Sequence, residues 1–99
     1  MDVAQLYQEV IRKRFAEAIV LPDPDSKDES QFEVYFIPDE RLSEWVNYRM
    51  NGMDPEIERI ALGMATLIVY PTSDVRKYRP ALYAAEMARR RSNVEVPPA

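Results

Sequence analysis

Eight prolines punctuate this chain, and their positions decide where regular structure can start and stop. Proline has no backbone N–H and a fixed φ, so it ends a helix or sits in its first turn. Pro22 and Pro24 close a first segment, Pro38 follows an aromatic run, and Pro55 and Pro80 suit first helical positions. Pro71 breaks an apolar stretch, and Pro97 and Pro98 favour an extended end. The chain is of one-domain size, and no apolar run reaches the ~20 residues of a membrane span.

Between these breaks, spacing predicts the elements. Val3, Leu6, Tyr7, Val10, Ile11, Phe15, Ala18 and Ile19 recur every three or four residues, which predicts an amphipathic helix over about 2–20. The stretch PDPDSKDES after it reads as an exposed acidic loop. Its acids lack the glycine and the terminal glutamate of a calcium loop. Phe32 to Ile37 is aromatic and β-branched, and predicts a strand. Its backbone needs a partner. Three offer themselves: Ile19-Val20-Leu21, Val94-Glu95-Val96, or a neighbouring subunit.

Asp39 as a cap with Glu40 behind it predicts a helix over 39–51, with Trp45 in the core and Asn51-Gly52 as its end. Asp54-Pro55-Glu56 opens another over 55–70, with Ile57, Ile60, Ala61, Met64, Leu67 and Ile68 as its buried stripe and Gly63 allowing close packing. The last helix is expected over 80–91, or as one kinked helix from Asp74. The fold class expected is therefore mainly α: a small helical bundle over residues 1–91 with one short strand, and an extended tail over 92–99. Val94 and Val96 alternate with Glu95 in that tail, as in a strand laid on a sheet edge such as that of Phe32 to Ile37.

Histidine and cysteine are absent, and only Gly52 and Gly63 are glycines. The commonest general base, the thiolate nucleophile and a glycine-rich phosphate loop are all missing. We therefore expect no catalysis, no cofactor and no metal. The start, MDVAQLYQEVIRKRF, lacks the basic-then-apolar order of a signal peptide, which points to the cytoplasm.

Charge is distributed unevenly. Residues 1–22 are neutral, 23–58 carry a net −8, and 59–99 carry +4. Complementing helix dipoles accounts for many of these charges. Alternatively, Arg76, Lys77, Arg79, Arg89, Arg90 and Arg91 attract an acidic protein or phosphate, or the acidic middle of one copy meets the basic end of the next, which can close a ring. With Val94 and Val96, these six bases are the candidate interface residues.

The stretch DPEIERIALGMATLIVYPTSDVRKYRPALYAAEMARRR, residues 54–91, resembles the second half of phage head–tail adaptor (connector) proteins. In that family an apolar helix ends in a Pro-containing turn, and an Ala-rich helix returns antiparallel and finishes with Arg. The resemblance implies a virion protein, assembled in the host cytoplasm. It would form a homo-oligomeric ring with neighbouring copies on the portal, near DNA, without enzymatic activity. The competing expectation is a small acidic regulator or inhibitor that binds one host protein.

Overall fold

The computed structural model describes residues 3–27, 31–51 and 66–94. Within them the run expected as a lone strand is the middle of a sheet. Strand β2 (Gln31–Ile37) lies between β1 (Ile19–Pro22) and β3 (Thr66–Pro71). β1 pairs with it antiparallel, Ile19 opposite Tyr35 and Pro22 opposite Phe32. β3 pairs with it parallel, Phe32 opposite Leu67 and Tyr35 opposite Tyr70. The helices are α1 (Val3–Ile11), α2 (Leu42–Met50, after a 3-10 turn at Asp39–Arg41), α3 (Thr72–Tyr78) and α4 (Pro80–Val94).

The fold class is thus mixed α/β, a three-stranded mixed sheet with helices, and the expected helical bundle is wrong. Two of the predicted helices ran into strands. The first ends at Ile11, and Ile19 to Pro22 goes into β1. Its hydrophobic stripe seemed to continue because Phe15 and Ala18 are also buried, but they sit in the turn between α1 and β1. The helix expected over 55–70 lies mostly outside the described residues, and its last part, Thr66 to Tyr70, is strand. A β-branched and aromatic run buried in a parallel pair is continuously apolar, and periodicity alone cannot separate it from a buried helix.

At the other end the helix expected from Pro80 is preceded by α3. The backbone leaves helical geometry only at Arg79 (φ −135°, ψ 60°), the residue whose α conformation Pro80 disfavours. α4 then continues through Val94, so Ser92 to Val94 are helical. Residues 95–99, with Val96 and the rest of the expected tail, lie outside the described residues. β1 and β3 occupy both edges of Phe32 to Ile37, so that strand offers no open edge.

β2 is buried along Phe32 to Ile37, so both its faces need cover. On one face Val20, Phe32, Val34 and Ile37 pack with Tyr7, Val10 and Ile11 of α1 and with Trp45 of α2. Phe15 joins them, with its ring against the edge of Trp45 at 5.8 Å. Val46 and Met50 of α2 are exposed. On the opposite face Tyr35 and Phe36 pack with Val75 of α3, flanked by Leu82, Tyr83 and Met87 of α4. Regular alternation would put Phe36 on the first face. Instead the register with β3 is irregular between Tyr35 and Ile37, and Phe36 has φ 69°. This bulge turns Phe36 toward α4 and returns Ile37 to the first face.

The outer edge of β1 is closed by α1. The Val20 N–H donates to Gln8 Oε1 at 3.0 Å, and Arg12 Nε donates to the Ala18 carbonyl at 2.7 Å. Pro22 offers no donor at all. Such polar covers stop an edge strand from recruiting another chain. Gln8→Ala should therefore lower stability by about 1–2 kcal/mol, the cost of leaving a part-buried N–H without an acceptor. A urea unfolding midpoint unchanged from the parent would show that water replaces Gln8 without loss.

Candidate functional site

β2 and β3 run parallel, so both chains leave the sheet at the same end. Pro38, Asp39 and Glu40 follow β2, and Thr72 and Ser73 follow β3. Together they form the floor of an open cleft of about 530 Å³. Arg76 of α3, Tyr83 and Arg90 of α4, and Glu17 from the turn before β1 form its walls. In open α/β sheets ligands bind outside the carboxyl ends of parallel strands, where connections diverge.

Asp39 links the two strand ends. It was expected to cap its own helix. Its side chain instead accepts the Ser73 N–H at 3.0 Å and the Ser73 hydroxyl, and so caps the start of α3 across the cleft floor. These bonds hold its carboxyl below the usual aspartate value. A longer contact runs alongside, with the Thr72 hydroxyl 3.5 Å from the Ile37 carbonyl.

Arg90 is held from three sides. Its Nη1 lies 3.1 Å from Glu17 Oε2, its Nε 3.3 Å from Glu86 Oε1, and its guanidinium 5.1 Å from the centre of the Phe36 ring. Its Nη2 is buried and has no hydrogen-bond partner among the described residues. Glu86 is buried and also accepts Arg89 Nε at 3.0 Å. Arg89 holds its carboxyl below the ordinary value of 4.5, with Arg90 adding to this and burial opposing it.

A second polar cluster lies under α3 and α4. Glu33, central in β2 and 2% exposed, pairs with Arg79 at 3.0 Å and accepts the Tyr35 hydroxyl. Arg79 lies over the Tyr70 ring at 5.2 Å. Burial, reinforced by the Glu33 carboxylate, pushes the Tyr35 phenol far above its usual value of 10. Glu33 beside it, then burial, raises Tyr70. Glu33 and Tyr35 are buried while Arg79 and Tyr70 are part-buried, and the group lets a carboxylate occupy a strand that is otherwise apolar from Phe32 to Ile37.

The six bases singled out in the sequence therefore divide. Arg79, Arg89 and Arg90 are consumed in pairs within the chain. Arg76, Lys77 and Arg91 are exposed and have no carboxylate partner among the described residues, although Lys77 lies over the Tyr78 ring at 5.1 Å. Val94 closes α4, and Val96 lies outside the described residues. Glu33, Glu86, Glu17 and Asp39 were missed as partners. For Glu33 a signal existed, one charge in an apolar strand; Glu17 and Asp39 meet Arg90 and Ser73 only through the tertiary fold. No described helix is long and apolar enough to cross a membrane, and no group of three His, Cys, Asp or Glu among the described residues could hold a metal ion. Comparison with family models, curated proteins and solved structures gives no match.

Two measurements probe these clusters. Arg79→Met should cost about 3 kcal/mol, because it strands a buried carboxylate, and adding Glu33→Gln should recover part of that loss. A double variant whose cost equals the sum of the two single costs would show that the pair carries no coupling. The depressed Glu86 carboxyl gives stability that is present above the unfolded value of 4.5 and lost as pH falls through the lower folded value. Stability should thus decline on acidification below about pH 4.5, and less steeply in Glu86→Gln. Parallel profiles for parent and variant would remove Glu86 from that transition.

Proposed function

We propose that this chain is a non-catalytic assembly protein that binds an acidic protein surface through the cations on α3 and at the end of α4. The observation supporting this reading is the division of the bases. Folding neutralises Arg79, Arg89 and Arg90, whereas Arg76, Lys77 and Arg91 remain exposed without a carboxylate among the described residues. Unpaired surface cations steer association with acidic partners and set orientation. Exposed acids elsewhere on the same chain, Asp25 and Glu40 among them, make a neighbouring copy one such partner.

In its most specific form the proposal is a ring-forming head–tail adaptor in a virion, seated on the portal with DNA nearby. The fold narrows the support for this form. Of the resembling stretch, Thr66 to Pro71 is strand and not the first arm of an α-hairpin. Charge polarity and the remaining cations support it, and the shape of the carrier motif does not.

Native mass spectrometry and negative-stain microscopy of the full chain, alone and with a portal preparation, provide the test. A ring, or assembly only on the portal, is expected for the adaptor. A discrete complex of one copy with one host protein would instead mark the regulator. Association should weaken as salt rises, since exposed charges are screened within about 10 Å at 0.1 M. The double variant Lys77→Glu with Arg91→Glu should weaken it further. Salt-insensitive assembly, unaffected by that variant, would overturn the charge-based reading.

A further inference from the structure

We propose that the cleft beyond the carboxyl ends of β2 and β3 is a binding site for an oxyanion, a carboxylate or phosphate group, held by Arg76 and by the free Nη2 of Arg90. This site goes beyond the assembly reading and shares only Arg76 with it, since Lys77 and Arg91 do not line it.

The argument starts from an unmatched donor. Buried side-chain donors almost always find an acceptor, and one left without it costs its full desolvation. Arg90 Nη2 is buried and unpartnered among the described residues, although its Nε and Nη1 are committed to Glu86 and Glu17. Those two carboxylates and the Phe36 ring hold the guanidinium at the cleft wall, so an oxyanion that displaces the cover over Nη2 meets a donor already oriented. A planar guanidinium suits carboxylate and phosphate oxygens better than other acceptors.

The rest of the lining points the same way. Arg76, exposed on α3, has no carboxylate partner among the described residues. The Tyr83 hydroxyl, on α4, has no hydrogen-bond partner there either; its ring stacks on Phe36 at 6.4 Å. Among the lining acids, Asp39 is engaged by Ser73 and Glu17 by Arg90. Only Glu40 keeps an uncommitted carboxylate among the described residues. Free donors thus outnumber free acceptors; the ionisable lining, Glu17, Asp39 and Glu40 against Arg76 and Arg90, sums to −1, so directed donors and not net charge would select the anion. The volume, about 530 Å³, exceeds that of a bare anion. It lies within the roughly 300–1,000 Å³ of small-molecule sites, which leaves room for an oxyanion carried on a larger ligand.

The test is a nuclear magnetic resonance titration of the full-length, isotope-labelled chain at constant ionic strength, with inorganic phosphate in one arm and acetate in the other. Saturable shifts of the Thr72, Ser73, Arg76 and Tyr83 amides are expected, and the tighter of the two probes names the preferred group. Arg76→Gln, an exposed substitution, should weaken binding about tenfold or more, as loss of a charge-assisted contact does. Glu40→Gln should tighten it, because a repelling carboxylate is removed; general damage to the fold would not do that. Asp25→Asn, on the distant hairpin loop, should leave it unchanged. Lys77→Gln should also leave it unchanged, so failure of the assembly reading would not register here. Shifts that never saturate or that map elsewhere would overturn the site. Equal affinity in parent and Arg76→Gln would do the same.

Discussion

Glu33 stands in the middle of a strand buried on both faces, and the arrangement of the second half of the chain follows from what that carboxylate needs. A charge in such a place is tolerated only when paired and hydrogen-bonded. Arg79 supplies the pair through Nε and Nη2, and Tyr35 adds its hydroxyl. Arg79 also sits at the one point where the chain leaves helical geometry between α3 and α4. The residue that neutralises the core therefore marks the corner of the helical layer. Ion pairing and the helix break share one position: α3 follows β3 directly, and beyond Arg79 α4 brings Leu82, Tyr83 and Met87 against Tyr35 and Phe36.

This pairing also changes the meaning of the charge pattern. Along the sequence an acidic middle and a basic end look like complementary surfaces of two copies. In the fold the two regions meet within one chain, Glu33 with Arg79 and Asp39 with the start of α3, while Glu17 takes Arg90. Short-range pairs of this kind consume charge that would otherwise be available to a partner. Among the described residues, what remains exposed is smaller and more local than the sum over residues 59–99 suggests.

How much could be read beforehand follows from the range of the interactions. The strand Phe32 to Ile37 was legible, as was Ile19 to Leu21 among its possible partners, because β-branched and aromatic runs bounded by turn residues carry a local signal. The buried Trp45 and the break before Pro80 were legible for similar local reasons. Thr66 to Tyr70 was not. Leu67 and Ile68 extend the helical stripe of Ile60 and Met64, and nothing local says that a buried parallel strand replaces it. The cleft was legible only in fragments. Arg76 and Arg90 were singled out as cations, but their convergence with Tyr83 and Asp39 depends on parallel pairing of β2 and β3, a long-range choice. Sequence separation hid the Ser73–Asp39 cap for the same reason.

The bulge at Phe36 connects the strand to the cleft. A bulky residue at φ 69° sits in a region that costs an L-residue roughly 1–2 kcal/mol, and such outliers persist where the surroundings over-determine them. Here the surroundings are those of the cleft wall. Turned toward α4 by the bulge, the Phe36 ring stacks with Tyr83 and lies beneath the Arg90 guanidinium. Without the extra residue, regular alternation would direct Phe36 to the α1 face and leave Ile37 on the α4 side. Tyr83 and Arg90 would then lose their common support, and Arg90 would have only its two carboxylates to orient it. The strained backbone is thus the link by which a buried strand sets the position of two donors in an open cleft, which is the use that bulges at sheet ends commonly serve.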